Sequence, residues 1–418
     1  MMNVFKFGGA SVKDAAGISN LYDIVSGEKN NLVVVSAFGK TTNALEEIHN
    51  AWRTGDAFFK EKYDAAAGYH LSVSEELFGQ GSEVSLSLKG TFDSFYQKLL
   101  NTVPAGFDHD YDMIVSMGEV WSTVIVEAYL RMRGLKTRWC DIRKFLKTDD
   151  RHREAGIIWD ISREAVKDAF TFNDADIYVT QGFIGATASG EATTLGREGS
   201  DYTAAVLANM LDADEVVVWK DVPGIMNADP DWMPAAVTLE HLSYNEAVEM
   251  AFSGAKVIHP KTIKPLHNKK IPMLVRSFID PEADGTVISE DAPDGPMTTV
   301  FVRKVGQILI SVLPKDLSFV MGDNLASLFH ILASHGVKVS LVQAGAVSIN
   351  ICADHEEPRI SNVLEELRKE YSILFNDGAE MLTIRHSSPG AAESVTGGKE
   401  VLLSQTTRNT VRMVVRDK

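Results

Sequence analysis

Two runs, LVVVSA at 32–37 and EVVVWK at 215–220, stay apolar through their centres instead of alternating. A strand with one wet face alternates, so runs like these belong to a sheet buried on both faces, hence to largely parallel strands covered by helices. The segments around them agree. NVFKF precedes a helix-like SVKDAAGISNLYDIVSG, and LVVVSA precedes a helix near 42–52 and a long charged helical stretch to about residue 100. Then come YDMIVSM, a helix over 119–132, TRWCDI, DIYVTQGFIG, a helix in SDYTAAVLANML, EVVVWKD, a helix near 244–253 and IPMLVRSF. Strands alternating with helices in this way predict an α/β fold, an αβα sandwich with a mainly parallel central sheet.

Residues 279–298, IDPEADGTVISEDAPDGPMT, are rich in Pro, Gly and acids and read as a boundary, giving domains 1–298 and 299–418. Beyond it GQILISVL, a helix NLASLFHILASHG, two strands split by a glycine (VKVSLVQA and AVSINICA), a charged helix and SILF form one round. EMLTIRH, PGAAESVTG and KEVLLSQTTRNTVRMVVRD form a shorter second round. The hairpins LVQAGAVSINICAD and LLSQTTRNTVRMVVRD are alike, so the region is expected to hold two small α+β, ferredoxin-like units, the second abbreviated.

The 418 residues carry a formal net charge of −16, which argues against binding the phosphate backbone of nucleic acid. Cys140 and Cys352 lie in apolar strand-like runs without a CxxC or Cys/His metal spacing, so they are expected to be buried free thiols of a reducing compartment. The N-terminus lacks a basic region followed by an apolar one, and no apolar run approaches the roughly 18 residues of a membrane span. No membrane partner and a cytoplasmic location are the expectations.

KFGGAS puts Lys6 inside a strand-like run and removes the next two side chains. A lysine in a buried strand either reaches out at the strand end or meets an anion. Gly8 and Gly9 favour the anion, because bare backbone can bring its N–H groups close to a phosphate. Ser11 with Asp14 fits a capping box, so a helix N-terminus is expected to point at the same place. The loop is not a Walker A, since Val34 stands where the motif preceding Gly39, Lys40 and Thr41 needs glycine, and no GxGxxG is present. In TTLGREGSDYTAA, Arg197 can fork onto a carboxylate, while Ser200 and Asp201 open a helix, where an acid is either a cap or a site group. In VVVWKDVPGIMNADP, Lys220 and Asp221 end a strand and Val222–Met226 is either a plain turn or a wall for a base. Lys256 follows a small-residue turn in SGAKVIHPKT. Glu119 in SMGEVWS, read as following a strand, is either a cap or a partner for an ammonium group. Lysines for phosphates, an arginine for a carboxylate, a glutamate for an amine and a central aspartate suit phosphoryl transfer from ATP to an amino acid, which needs mostly positioning and charge neutralisation.

KFGGAS, VVVSAFGKTTN, SMGEVWS, GFIGATASGEATTLGREGSDYTAA, WKDVPGIMNADP and GAKVIHPKT occur in this order, and over residues 2 to about 290 the chain resembles the aspartokinases of the amino acid kinase superfamily. The C-terminal part is more loosely similar to the family's tandem ACT regulatory region. The resemblance implies ATP and L-aspartate as substrates, 4-phospho-L-aspartate as product, Mg²⁺ bound through the ATP phosphates, and a place in lysine, threonine and methionine biosynthesis. It implies that Lys6, Gly8, Gly9 and Asp201 are catalytic, that Ser36, Thr42, Glu119, Arg197 and Ser200 hold aspartate, and that Lys6, Gly8, Gly9, Lys220, Asp221, Met226 and Lys256 face the nucleotide. On this reading the counter-charge of Lys6 is the ATP phosphate.

The chain departs from the family pattern at Ala10 (usually Thr), Glu198 (usually Gly) and Asp231 (usually Arg). An inward Glu198 is expected to weaken aspartate binding, and an outward one to do nothing. The resemblance also implies an allosteric amino acid, lysine or threonine, and a homodimer or dimer of dimers built through the ACT units. The loop MGDNL at 321–325 stands where an effector's polar ends are held, but KVSLVQAGAVSI lacks the acid and serine of lysine-sensitive relatives, so only a weak response to lysine is expected. The alternative is a catalytically impaired amino-acid sensor on the same scaffold.

Overall fold

The structure is a computed structural model, and it describes residues 1–255, 258–290, 298–315 and 323–418. Its contacts divide into two compact units. The first holds Met1–Ile225, Glu240–Ala247 and Ile258–Pro293, and the second holds Met226–Leu239, Val248–Val257 and Asp294–Lys418. The second unit thus draws in two stretches well before residue 298.

In the first unit, β1 (Asn3–Phe7), β2 (Asn31–Val35), β3 (Thr137–Cys140), β4 (Ile177–Gln181), β7 (Glu215–Lys220), β8 (His241–Ser243), β9 (Met273–Ser277) and β10 (Thr286–Ser289) make one sheet. Its order is β3-β4-β2-β1-β7-β9-β10-β8 among the described residues. In this order the strands from β3 to β9 are mutually parallel, and β10, with β8 parallel to it, runs the other way. Every residue of β2 is buried, as its unbroken apolar run requires. A separate hairpin, β5 (Ile184–Ala186) and β6 (Ala192–Thr194), follows β4.

Helices cover the sheet. α1 (Ala15–Val25), α2 (Thr41–Thr54), α3 (Phe59–Phe78), α4 (Glu83–Asn101) and α6 (Met117–Met132) share one large core with β1, β2 and β4, centred on Trp121, Phe92 and Phe38. α8 (Gly199–Leu211) packs on β1, β2 and β7, with α7 (Trp159–Ala169) and α10 (Pro260–His267) against it. α9 (Tyr244–Ser253) follows β8.

Three local expectations change. YDMIVSM is not a strand: Phe107–Val115 is helix α5, so Glu119 follows a helix. Tyr111, Ile114 and Val115 sit on its buried side at helical spacing, which a short apolar run does not distinguish from a strand. α1 is capped by Asp14, whose side chain accepts from the Gly17 N–H at 2.8 Å, while Ser11 lies in the preceding turn. The continuous stretch Phe107–Met132 is long and apolar enough to cross a membrane, yet 78% of its most apolar window is buried inside this fold, as in the core helix of a globular unit.

The second unit is built on one antiparallel sheet of six strands among the described residues, ordered β12-β13-β11-β14-β16-β15. They are β11 (Val300–Pro314), β12 (Val339–Ala344), β13 (Ile349–Asp354), β14 (Tyr371–Arg385), β15 (Lys399–Thr406) and β16 (Thr410–Asp417). Alternate residues face opposite ways. Ile308, Ile310 and Val312 pack under α11 (Asp323–Ser334) and α12 (Arg359–Glu370), while Leu309 joins Cys352, Met381 and Val414 in a different cluster. Leu382 and Ile384 pack under α13 (Ala391–Thr396). The two α+β units therefore exist as two helix-covered patches of one sheet, because β11 and β14 run through both. SILF and EMLTIRH are parts of the single strand β14. Cys140 and Cys352 are free and buried.

Candidate active site

Phe7 pairs with Val35 on one side and Trp219 on the other, so β1, β2 and β7 end side by side. The loops after them leave from one edge of the sheet, where ligands of parallel α/β sheets bind. Gly9 makes two of these loops touch: its carbonyl accepts the Gly39 N–H at 2.9 Å, and a Cβ on Gly9 would lie 2.4 Å from the Ala37 oxygen. A Cβ on Gly8 would lie 3.6 Å from Lys6 Nζ. Gly9 thus has a packing reason to be glycine, and Gly8 leaves open space in front of an ammonium group.

Lys6 is 7% exposed, and an unpaired ammonium there would be costly. Its counter-charge is Asp201 on the first turn of α8, with Nζ 2.6 Å from Oδ1. Lys220, from the end of β7, stands 3.3 Å from Oδ2 of the same carboxylate. Phosphate is the expected counter-charge of Lys6; in the free protein a resident aspartate takes that place. Burial by itself would raise the Asp201 pKa, but the Lys6 and Lys220 ammonium groups outweigh it and hold it below the usual range. Two lysines on one aspartate leave a surplus positive charge, beside the positive end of α8.

Glu198 acts on that surplus. It precedes α8 with φ at 53°, the left-handed region that favours glycine, and its side chain caps nothing. Its Oε2 is buried and has no hydrogen-bond partner among the described residues. Burial raises its pKa, Lys220, Arg197 and Lys6 oppose that, and Asp201 adds to it. The Glu198 carboxylate is thus within electrostatic reach of the lysine–aspartate cluster. Arg197 beside it is exposed.

Glu119, in the first turn of α6, is 3% exposed. Its Oε1 accepts the Ala37 N–H at 3.2 Å, and Oε2 has no partner among the described residues. Burial raises its pKa to about 8, against the Ala37 hydrogen bond and the Lys6 charge. Ser122 on the same helix donates to the Ser36 carbonyl at 2.9 Å. Gly118 permits this approach, since a Cβ there would fall 2.9 Å from the Ala37 Cβ. Lys6, Gly8, Gly9, Ser36, Glu119, Glu198, Ser200, Asp201 and Lys220 thus gather around the ends of β1, β2 and β7. Thr42 is half-buried in the first turn of α2, and Asp221 is exposed just past β7. Met226 belongs to the second unit, where it bridges to Thr238. Asp231 is exposed. Lys256 and the start of MGDNL lie outside the described residues.

Two residues escape the sequence reading. Asp112 is fully buried and accepts from the Thr194 N–H at 3.0 Å, the Thr194 hydroxyl at 2.6 Å and the Arg153 N–H at 3.0 Å, so it pins the start of the TTLGREGSD loop to α5. Lys261 donates to the Leu195 carbonyl at 2.6 Å and holds the same loop from α10. Both act across long sequence separations, which no local motif signals. The loop itself follows hairpin strand β6, not a strand of the main sheet.

The sequence profile of the amino acid kinase family matches residues 1–277. Lysine-sensitive aspartokinase 3 of Escherichia coli (strain K12) is 35% identical over 84% of this chain and 78% of its own length. The crystal structure of E. coli aspartokinase III with aspartate and ADP, in the R state, superposes with a TM-score of 0.86 at 30% identity, covering 100% of this chain and 96% of that one. The same enzyme with lysine and aspartate, in the T state, gives 0.79 at 29% identity over 99% and 96%.

Proposed function

Because this chain belongs to the amino acid kinase family and within it to the aspartokinases, we propose that the residues gathered at the ends of β1, β2 and β7 are the site of its phosphoryl transfer. The protein is an aspartate kinase: the γ-phosphoryl group of ATP passes to the β-carboxylate of L-aspartate. The new bond joins a carboxylate oxygen to phosphorus, and the electron pair of the broken bond leaves on ADP. A carboxylate with a reference pKa near 3.9 is already ionised at neutral pH, so no general base is needed.

The observation that carries the assignment is the Lys6–Asp201–Lys220 cluster. Asp201 holds the two ammonium groups in place before the phosphates arrive, and their surplus charge neutralises the transferring group. The open space at Gly8 and the N-terminus of α8 support phosphate at the same place. The ADP and aspartate of the related complex suit this donor set. Mg²⁺ fits it through the phosphates, since the one central carboxylate is taken by lysines; bound there, it would neutralise phosphate charge. Arg197 takes the α-carboxylate of aspartate, and Glu119 its ammonium group, to which the orphan Oε2 is offered. Ser36, Thr42 and Ser200 line the aspartate, while Asp221 faces the nucleotide. The first unit is the catalytic domain and the sheet of the second the ACT region, which joins two chains and responds only weakly to lysine.

Hydroxylamine converts an acyl phosphate into a coloured hydroxamate. Purified protein with Mg-ATP is expected to give colour with L-aspartate and none with L-glutamate or N-acetyl-L-glutamate, and Lys6→Ala is expected to lose it. Colour undiminished in Lys6→Ala would refute the site. A lysine titration checks the regulatory part: strong inhibition below about 1 mM, equivalent to about 4 kcal/mol of binding, would sink the weak response.

A further inference from the structure

Away from the ends of β1, β2 and β7, helices α7, α8 and α10 enclose a cavity of about 620 Å³, within the size range of small-molecule sites. Its wall carries Arg163, Lys261, Lys264 and Lys269 with the rings of Trp159 and Tyr202, and no acidic side chain. The whole chain has a net charge of −16, so four cations around one cavity stand out against their surroundings. Lys269 is accounted for: Asp212 neutralises it and also takes Lys167 at 2.9 Å. The other three form no ion pair among the described residues. Arg163 donates to the neutral Asn209 amide oxygen at 3.3 Å, and Lys264 is exposed. Lys261 donates to the Leu195 carbonyl, and its ammonium lies 5.2 Å from the centre of the Tyr202 ring. Glu154 is the acid that acts on Lys261 through space.

Arg163, Lys261 and Lys264 share one cavity wall and none has an ion pair among the described residues, so an anion in the cavity would meet their charge. Arginine and lysine with neutral partners suit a phosphate group, and two aromatic rings suit a flat one. We propose that this cavity binds a small phosphorylated compound carrying a planar ring, of the nucleotide type, in addition to the nucleotide at the reaction site. Its phosphate lies between Arg163, Lys261 and Lys264, and its ring lies against Trp159 and Tyr202. Occupancy reaches the substrate loop through Lys261. The ammonium that holds the Leu195 carbonyl is the one an anion would draw away, and Gly196 and Arg197 follow Leu195 directly. Ligand in the cavity therefore changes the KM for aspartate.

Isothermal titration of the full chain with ADP, with Mg²⁺ present, tests this. The wild type is expected to bind two ADP per chain and the double variant Arg163→Gln/Lys264→Gln one, with hydroxamate formation in the double variant unchanged at low ADP. One ADP per chain in both proteins overturns the proposal. A single ADP in the wild type that the double variant loses would support the cavity and defeat the reaction-site reading, so the two fail separately. Inorganic phosphate, titrated alone, is expected to bind the cavity at least tenfold more weakly than ADP. Equal affinity would overturn the nucleotide assignment.

Discussion

Two buried acids in this molecule each bridge two cations, and they serve different ends. Asp201, 2% exposed, lies between Lys6 and Lys220. Glu380, 6% exposed, lies between Arg303 and Lys399 in the second unit's sheet. The Glu380 cluster is balanced, because Lys399 also meets Asp417 at 2.8 Å, giving two cations and two acids on neighbouring strands. Such a group ties strands together and offers nothing to a ligand. The Asp201 cluster puts two lysines on one carboxylate, with Glu198 acting on them through space, lies where three parallel strands end, and has the start of a helix beside it. The same pairing is a fastener inside a sheet and an anion site where strands end beside a helix N-terminus.

Exchanging the two phenotypes would break the comparison. Lys6→Ala is expected to lower the hydroxamate rate by about 10³-fold and Asp201→Asn by about 10²-fold, and Asp201→Asn, which leaves buried Lys6 without its acid, also lowers the thermal midpoint. Glu380→Ala is expected to cost stability alone. Leaving Arg303 and Lys399 without their acid costs about 3 kcal/mol, read by denaturant unfolding, while the rate stays within about twofold.

Glu119 sharpens the comparison by proton count. With its pKa raised from 4.5 to about 8, it holds a proton at pH 7 in the free protein. An incoming ammonium group favours the charged form, so aspartate binding is expected to release close to one proton. Titrations in buffers of different ionisation heat would show this, and Glu119→Gln is expected to abolish it. The same shift sets a sign for stability. A group whose folded pKa lies above its unfolded value stabilises fully below the unfolded value, so stability falls as pH rises from about 4.5 through about 8, less so in Glu119→Gln. The smallest effect is at Glu198. Its negative charge offsets the surplus at Asp201, so Glu198→Gly is expected to lower the KM for aspartate about threefold to tenfold. It should also add about 1 kcal/mol of stability by relieving the left-handed backbone.

Much of the first unit was legible because burial on both faces leaves an unambiguous mark. LVVVSA and EVVVWK are β2 and β7, and the glycines and lysine of KFGG stand at the edge where parallel strands end. YDMIVSM was not legible, since a short apolar run fits both periods. In the second unit, SILF and EMLTIRH are expected as separate strands in successive rounds. Instead Gly378 takes φ 61° inside β14 while the register to β11 shifts, so the strand passes through an irregularity instead of reversing. Of the site, Lys6, Asp201 and Lys220 could be picked out singly, but their joint geometry could not. Nothing in the sequence shows that one carboxylate faces both lysines, that Glu198 comes within their electrostatic reach, or that Asp112 and Lys261 hold the substrate loop.

The central claim is that Asp201 matters because it holds Lys6 and Lys220. A double-mutant cycle in the hydroxamate rate with Lys6→Met and Asp201→Asn tests it most directly. The account predicts that the double variant is hardly slower than Lys6→Met alone, so that the two losses fail to multiply by at least tenfold. Losses that multiply in full would mean that Asp201 acts independently of Lys6, and would contradict the account.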